Sequence, residues 1–181
     1  MTRQERDYRR AQRLLAFQVL YSQEFQSCAT EEELRRAFVS VPPFVSELEA
    51  DDGGNAGDIE KFFSAPGGTD SGEGEGHGEP RGFGWELVLG VWLNRSEIDS
   101  IIARFARNWR LDRLGRAELN ILRLGPYEML YRGDIPPRVT INEALELDKQ
   151  FGDPRSSSFV NGILDAVCKA MERNEIRGQQ A

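Results

Sequence analysis

Residues 109–165 read WRLDRLGRAELNILRLGPYEMLYRGDIPPRVTINEALELDKQFGDPRSSSFVNGILD, and the beat of their apolar residues decides the fold class. Leu114, Ala117, Ile121, Leu124 and the pair Met129-Leu130 recur at helical spacing, with Pro126 inside the run. Proline lacks an amide donor and its ring meets the carbonyl four residues back, so a kink is expected there. Ile135-Pro136-Pro137 is a break. Thr140-Ile141-Asn142-Glu143 then has the form of a capping box, opening a helix with Ile141, Ala144, Leu145 and Phe151. Gly152 and Pro154 close it. Ser156 or Ser157 is expected to cap a last helix, with Phe159, Val160, Ile163, Leu164 and Val167 on one side.

The same beat extends upstream. Ser96 followed by Asp99 suggests a helix start, continued by Ile98, Ile101, Ile102 and Phe105. Residues 83–93 are apolar nearly all round, as in a central, buried helix. Near the N-terminus a helix over 9–25 carries Leu14, Phe17, Tyr21 and Phe25 as one stripe. A shorter one covers 31–38 and stops before Pro42-Pro43. No segment alternates convincingly as a strand. The expected fold is all-α, with about seven helices in a single domain over 1–181.

Residues 51–84 break this pattern. They hold eleven glycines and two prolines, with eight acidic residues against two basic. Such a stretch buries too little apolar surface to offset its ordering entropy, so it reads as a flexible, acidic, Gly-rich insertion within the domain. The one histidine, His77, falls in it and reads as solvated.

Composition removes several classes of function. The 181 residues are 39% hydrophobic and 29% charged, with a net charge of −7. No apolar run suits a membrane span, and the arginine-rich start has no apolar core of a secretory signal, so a cytoplasmic location is expected. Cys28 and Cys168 are too few for a disulfide framework, and one histidine excludes a multi-histidine metal site. Phosphate-binding, dinucleotide and nucleophile-elbow motifs do not occur. Neither catalysis, metal nor cofactor is expected. The acidity is local: residues 51–84 carry −6, whereas 1–25 carry +2 and 85–181 balance.

Arg6, Arg9, Arg10 and Arg13 stand at i, i+3, i+4 and i+7, along one helical face. Guanidinium groups fork onto phosphate oxygens and stack on unpaired bases. A solvated face paired with Glu5 and Asp7 fits the pattern about as well. Against it, cations at a helix N-terminus oppose the macrodipole. Glu118, Glu128, Glu143, Glu146 and Asp148 have the spacing of solvent faces and caps, and Cys168 that of a core filler.

The 109–165 stretch closely resembles the NusB family of transcription antitermination factors, with INEALELDKQFG and FVNGILD as its most specific parts. RRAQRLLAFQVLYSQEF, residues 9–25, is similar to the first helix of the same family. The resemblance covers about 9–25 and 85–168 and implies two packed helical bundles. It implies a non-catalytic factor that binds the boxA element of ribosomal RNA transcripts with NusE, a small-subunit ribosomal protein. NusA, NusG and RNA polymerase complete the implied assembly, and the family includes both monomers and homodimers. Carried over residue by residue, RNA contacts fall on Arg9, Arg10, Arg13, Tyr21 and Phe159, the last within a contact segment from Gly152. Glu118 falls on the NusE-facing helix.

The chain departs from the family pattern just before Phe159, where it reads Ser156-Ser157-Ser158 with the basic Arg155 further back, at Asn120, where Lys or Arg is common, and at Gly125-Pro126, which replaces a more helix-friendly pair. Two other readings stay open. One is a protein-interaction module without RNA binding, which a degraded arginine start would favour. The other is the NusB-like domain found in RNA cytosine methyltransferases, which needs a Rossmann-like domain after it; this sequence ends at Ala181.

Overall fold

A computed structural model describes residues 2–41, 80–106 and 113–178. Among them are seven helices and no strand. They are α1 (Arg3–Ser22), α2 (Glu31–Ser40), α3 (Phe83–Leu93), α4 (Arg95–Phe105), α5 (Arg116–Tyr131), α6 (Pro137–Phe151) and α7 (Ser157–Glu172). The chain divides into two compact units, Met1–Leu89 and Gly90–Ala181, with the division inside α3. The expected acidic insertion lies mostly outside the described residues, and His77 wholly so. Its expected C-terminal end overlaps α3, whose first turn includes Phe83 and Gly84.

In the first unit, α1 starts at Arg3, six residues before the expected helix start at Arg9. Thr2 caps it, its Oγ1 accepting from the Glu5 amide at 3.2 Å, and Glu5–Arg9 and Arg3–Asp7 pair along its surface. Leu14, Phe17 and Leu20 are buried. Each such side chain contributes about 1.5–3 kcal/mol. Phe25 departs from the expected stripe because α1 has already ended at Ser22; it is 64% exposed, its ring edge-on to Tyr21. α2 is capped by Thr30, with Glu33 returning a bond to the Ala29 amide, and buries Leu34. Gly82 (φ 94°) turns the chain into α3 in the left-handed region that glycine adopts without strain. The α3 amide of Gly84 has no partner within its helix, and Gln12 Oε1 of α1 accepts from it at 3.1 Å.

The second unit is built around α5, which contacts α4, α6 and α7. Every residue from Glu118 to Leu130 is buried. That removes the solvent faces expected for three of the carboxylates. Glu118, Glu128 and Asp148 are all buried, because α5 is covered on more than one side and α6 turns Asp148 inward. The capping box at Thr140 does not form: α6 begins earlier, at Pro137, where the missing amide donor costs nothing. Thr140 is a buried interior residue whose hydroxyl donates to Glu128 Oε1. Likewise α4 starts at Arg95, before Ser96, with no side-chain cap, and Asp99 binds Arg123 instead.

The unusual Gly125-Pro126 pair has a packing reason. A Cβ at Gly125 would stand 2.6 Å from Cδ2 of Leu164, a fully buried α7 residue. Gly125→Ala therefore forces a shift in a filled core. The gain in helix propensity, about 1 kcal/mol, is smaller than the overpacking cost of about 1–3 kcal/mol. The variant is expected to unfold at lower urea concentration than the parent, and an increased midpoint would refute the packing explanation.

Candidate nucleic-acid interface

The predicted residues divide between the two units: Arg9, Arg10, Arg13 and Tyr21 lie in the first, Glu118 and Phe159 in the second. On α1 the four arginines are not equivalent. Arg6 and Arg10 are exposed, Arg9 is half-buried, and Arg13 is buried at 7% exposure. Both of the less exposed arginines face Phe83 at the start of α3. Its ring lies 5.3 Å from the Arg9 guanidinium carbon and 5.1 Å from that of Arg13. The ring's negative face attracts both cations, and its burial limits the water that would weaken the attraction. Arg9 also pairs with Glu5 at 3.6 Å. Tyr21 is half-buried and stacked on Phe17 at 5.8 Å between centroids. Phe83 escapes sequence reasoning because a cation–ring contact leaves no periodic trace.

In the second unit, α6 and α7 are joined by a short segment. Gly152 follows α6, and its amide donates to the Asp148 carbonyl at 2.8 Å. The Asp153 amide donates to Glu118 Oε1 at 2.7 Å. The Asp153 carboxylate accepts from the Arg155 amide and guanidinium, and the amide bond chiefly holds its carboxyl below the usual range. Asp153, Pro154, Arg155 and Ser158 are exposed, and Phe159 is half-buried in the first turn of α7.

Neither serine caps α7 as expected. Ser156 has helical dihedral angles and makes no side-chain cap bond. Its hydroxyl proton is shared between Asp148 Oδ1 at 2.8 Å and the Asp153 carbonyl at 2.6 Å, and the Ser157 hydroxyl donates to Asp148 Oδ2 at 2.7 Å. Asp148, 1% exposed, thus draws both hydroxyls away from the helix end. Asn120 is buried too, its Nδ2 donating to the Arg116 carbonyl at 2.8 Å.

Among the described residues no cluster of three or more His, Cys, Asp or Glu could hold a metal, and no helix is long and apolar enough to cross a membrane. Cys168 is half-buried, not the core filler its spacing suggested; it lies beside Glu172, off the buried stripe of α7. Burial, then the Glu172 and Asp165 carboxylates, push its thiol pKa up. Tyr131 is pushed up to about 12, first by burial and then by its bond to Glu97.

The family model of the NusB family matches residues 44–169. The chain is also 44% identical over 177 residues, 98% of each chain, to a transcription antitermination protein NusB of Nitratidesulfovibrio vulgaris strain DP4. The chain belongs to the NusB family. Its structure is similar to that of T. maritima NusB, with a TM-score of 0.62 and 30% identity, covering 93% of this chain and 97% of the other. A second similar chain comes from a crystal structure of antitermination factors NusB and NusE in complex with dsRNA. There the TM-score is 0.57 at 26% identity, over 94% of this chain and 99% of that one. As a NusB-family chain, this protein is all-α, in line with its sequence pattern.

Proposed function

We propose that this chain is a non-catalytic, cytoplasmic transcription antitermination factor. It binds boxA RNA of ribosomal RNA transcripts together with NusE, in an assembly with NusA, NusG and RNA polymerase. Family membership supports the antitermination role, and the similar NusB–NusE structure with dsRNA supports RNA and NusE as partners. The observation that carries the RNA reading is the exposed Arg6 and Arg10 on α1, beside a half-buried Arg9.

In this mechanism Arg10 neutralises phosphates and Arg9 contributes part of its guanidinium. Arg13, buried under Phe83, chiefly fixes the arginine face in place. Tyr21 and Phe159 offer aromatic faces to unstacked bases, so phosphate contacts position the strand and base contacts select it. Glu118, in the first turn of α5, is buried with its Oε1 on the Asp153 amide, so it serves the NusE-facing helix by holding its surroundings in place. A net charge of −7 makes RNA binding by this chain alone weak and salt-sensitive.

Fluorescence anisotropy with labelled boxA RNA and a scrambled control, with and without NusE, tests this reading. Selective binding that strengthens with NusE is expected. Arg10→Ala should weaken binding and reduce the log K against log salt slope by about one. An unchanged slope would remove Arg10 from the phosphate contacts. The burial of Arg13 and the Arg9–Glu5 pair favour one rival, a protein-interaction module without RNA binding. Binding of NusE with no binding of either RNA would establish it.

A further inference from the structure

We propose that Asp148 is a positioning residue for RNA binding, which holds segment 152–158 in its binding shape through Ser156 and Ser157. The inference rests on the RNA-binding reading above and adds to it a residue that makes no RNA contact. The Asp148 carboxylate lies in the last turn of α6, almost wholly removed from solvent. A carboxylate is an acceptor only: Oδ2 takes the Ser157 hydroxyl at 2.7 Å, and Oδ1, at 2.8 Å, shares the single Ser156 hydroxyl proton with the Asp153 carbonyl at 2.6 Å, a contact that also ties Ser156 to the segment itself. Hydroxyl bonds to an ionised oxygen are stronger than neutral ones, and stronger again away from water.

Two further features tie the same segment. The Asp153 amide is held by Glu118 Oε1, a second buried carboxylate. Gly152 lies so close that a Cβ there would stand 2.3 Å from Asp148 Oδ1. The exposed residues Asp153 to Arg155 therefore sit on a backbone tethered before and after them. This gives the triple serine a role that charge does not: Ser156 and Ser157 contribute shape. A segment ordered before binding avoids the entropy of ordering it on RNA, and affinity rises without a new contact.

The test is RNA anisotropy on the full chain carrying Ser156→Ala with Ser157→Ala, alongside Asp148→Asn, Ser157→Thr and Arg10→Ala. The double serine variant should bind labelled boxA RNA about three- to tenfold more weakly, with the salt slope unchanged because no phosphate contact is lost. NusE binding should be unaltered, and Ser157→Thr, which keeps the hydroxyl, should stay near the parent. Asp148→Asn should weaken RNA binding in the same direction; if it fails to fold, the serine variants still decide. RNA affinity equal to the parent in the serine variant, while Arg10→Ala binds more weakly, overturns the positioning role and leaves the RNA reading intact. Equal losses of RNA and NusE binding overturn it as well, since a general structural defect accounts for both. No RNA selectivity in the parent chain sinks the functional reading, and this inference with it.

Discussion

Phe83→Ala lowers the stability of the chain by about 3–5 kcal/mol, the usual cost of emptying a buried aromatic site. Two effects add at this position. Phe83 is 6% exposed, so its ring volume becomes a cavity beside α1. The guanidinium groups of Arg9 and Arg13 also lose the ring they share. Phe83→Leu separates the effects, since it keeps most of the apolar volume and removes the π face. It should retain a loss of about 1–4 kcal/mol, from two cation–π contacts of about 0.5–2 kcal/mol each. Urea unfolding of both variants supplies the measurement. A leucine variant as stable as the parent would mean that the ring acts only as apolar volume. The same variant bears on function, because Arg9 then loses a contact that holds it on the α1 face. Weaker RNA binding by Phe83→Leu, measured where the variant is still fully folded, would tie the ring to the positioning of the arginines.

The second large effect is expected at Asp99. Its two carboxylate oxygens receive Arg123 Nε at 2.7 Å and the terminal nitrogen Nη2 at 2.9 Å, a bidentate fork between α4 and α5. The Arg123 side chain is 6% exposed and that of Asp99 27%. Removing the more accessible partner leaves the less accessible cation without its counter-charge. Asp99→Ala is therefore expected to cost about 3–5 kcal/mol, more than surface pairs such as Arg36–Glu32 at about 0–1 kcal/mol. Replacing both partners, Asp99→Leu with Arg123→Met, should recover most of the loss, since no charge then stays buried. A double variant as unstable as Asp99→Ala would mean that the pair contributes more than the desolvation it requires. Thermal unfolding distinguishes the cases, at about 2–4 °C per kcal/mol for a chain of this size.

Much of this molecule was readable from the order of residues alone. Apolar spacing of three and four marks the helices because one helical face must be buried, a local rule that holds before any contact is known. The all-α class, the inward Leu14 and Phe17, and the buried Leu164 follow from it. Family motifs within 109–165 added the functional class, since they are specific beyond any periodicity.

Polar residues did not yield to the same reading. Thr140 with Glu143 matched a capping box, yet the prolines at 136 and 137 start α6 earlier and leave Thr140 to pair with Glu128. Asp148 looked like a surface carboxylate and the serines like caps; folding brought the three together. Arg13 matched Arg10 in every local respect, and only folding buried the one, facing Phe83 from a distant part of the chain, and left the other exposed. Apolar burial is signalled along the chain because its driving force is non-directional and needs only a face. Hydrogen bonds and ion pairs are directional and short, so their partners exist only once tertiary packing has set two side chains within about 3 Å of each other.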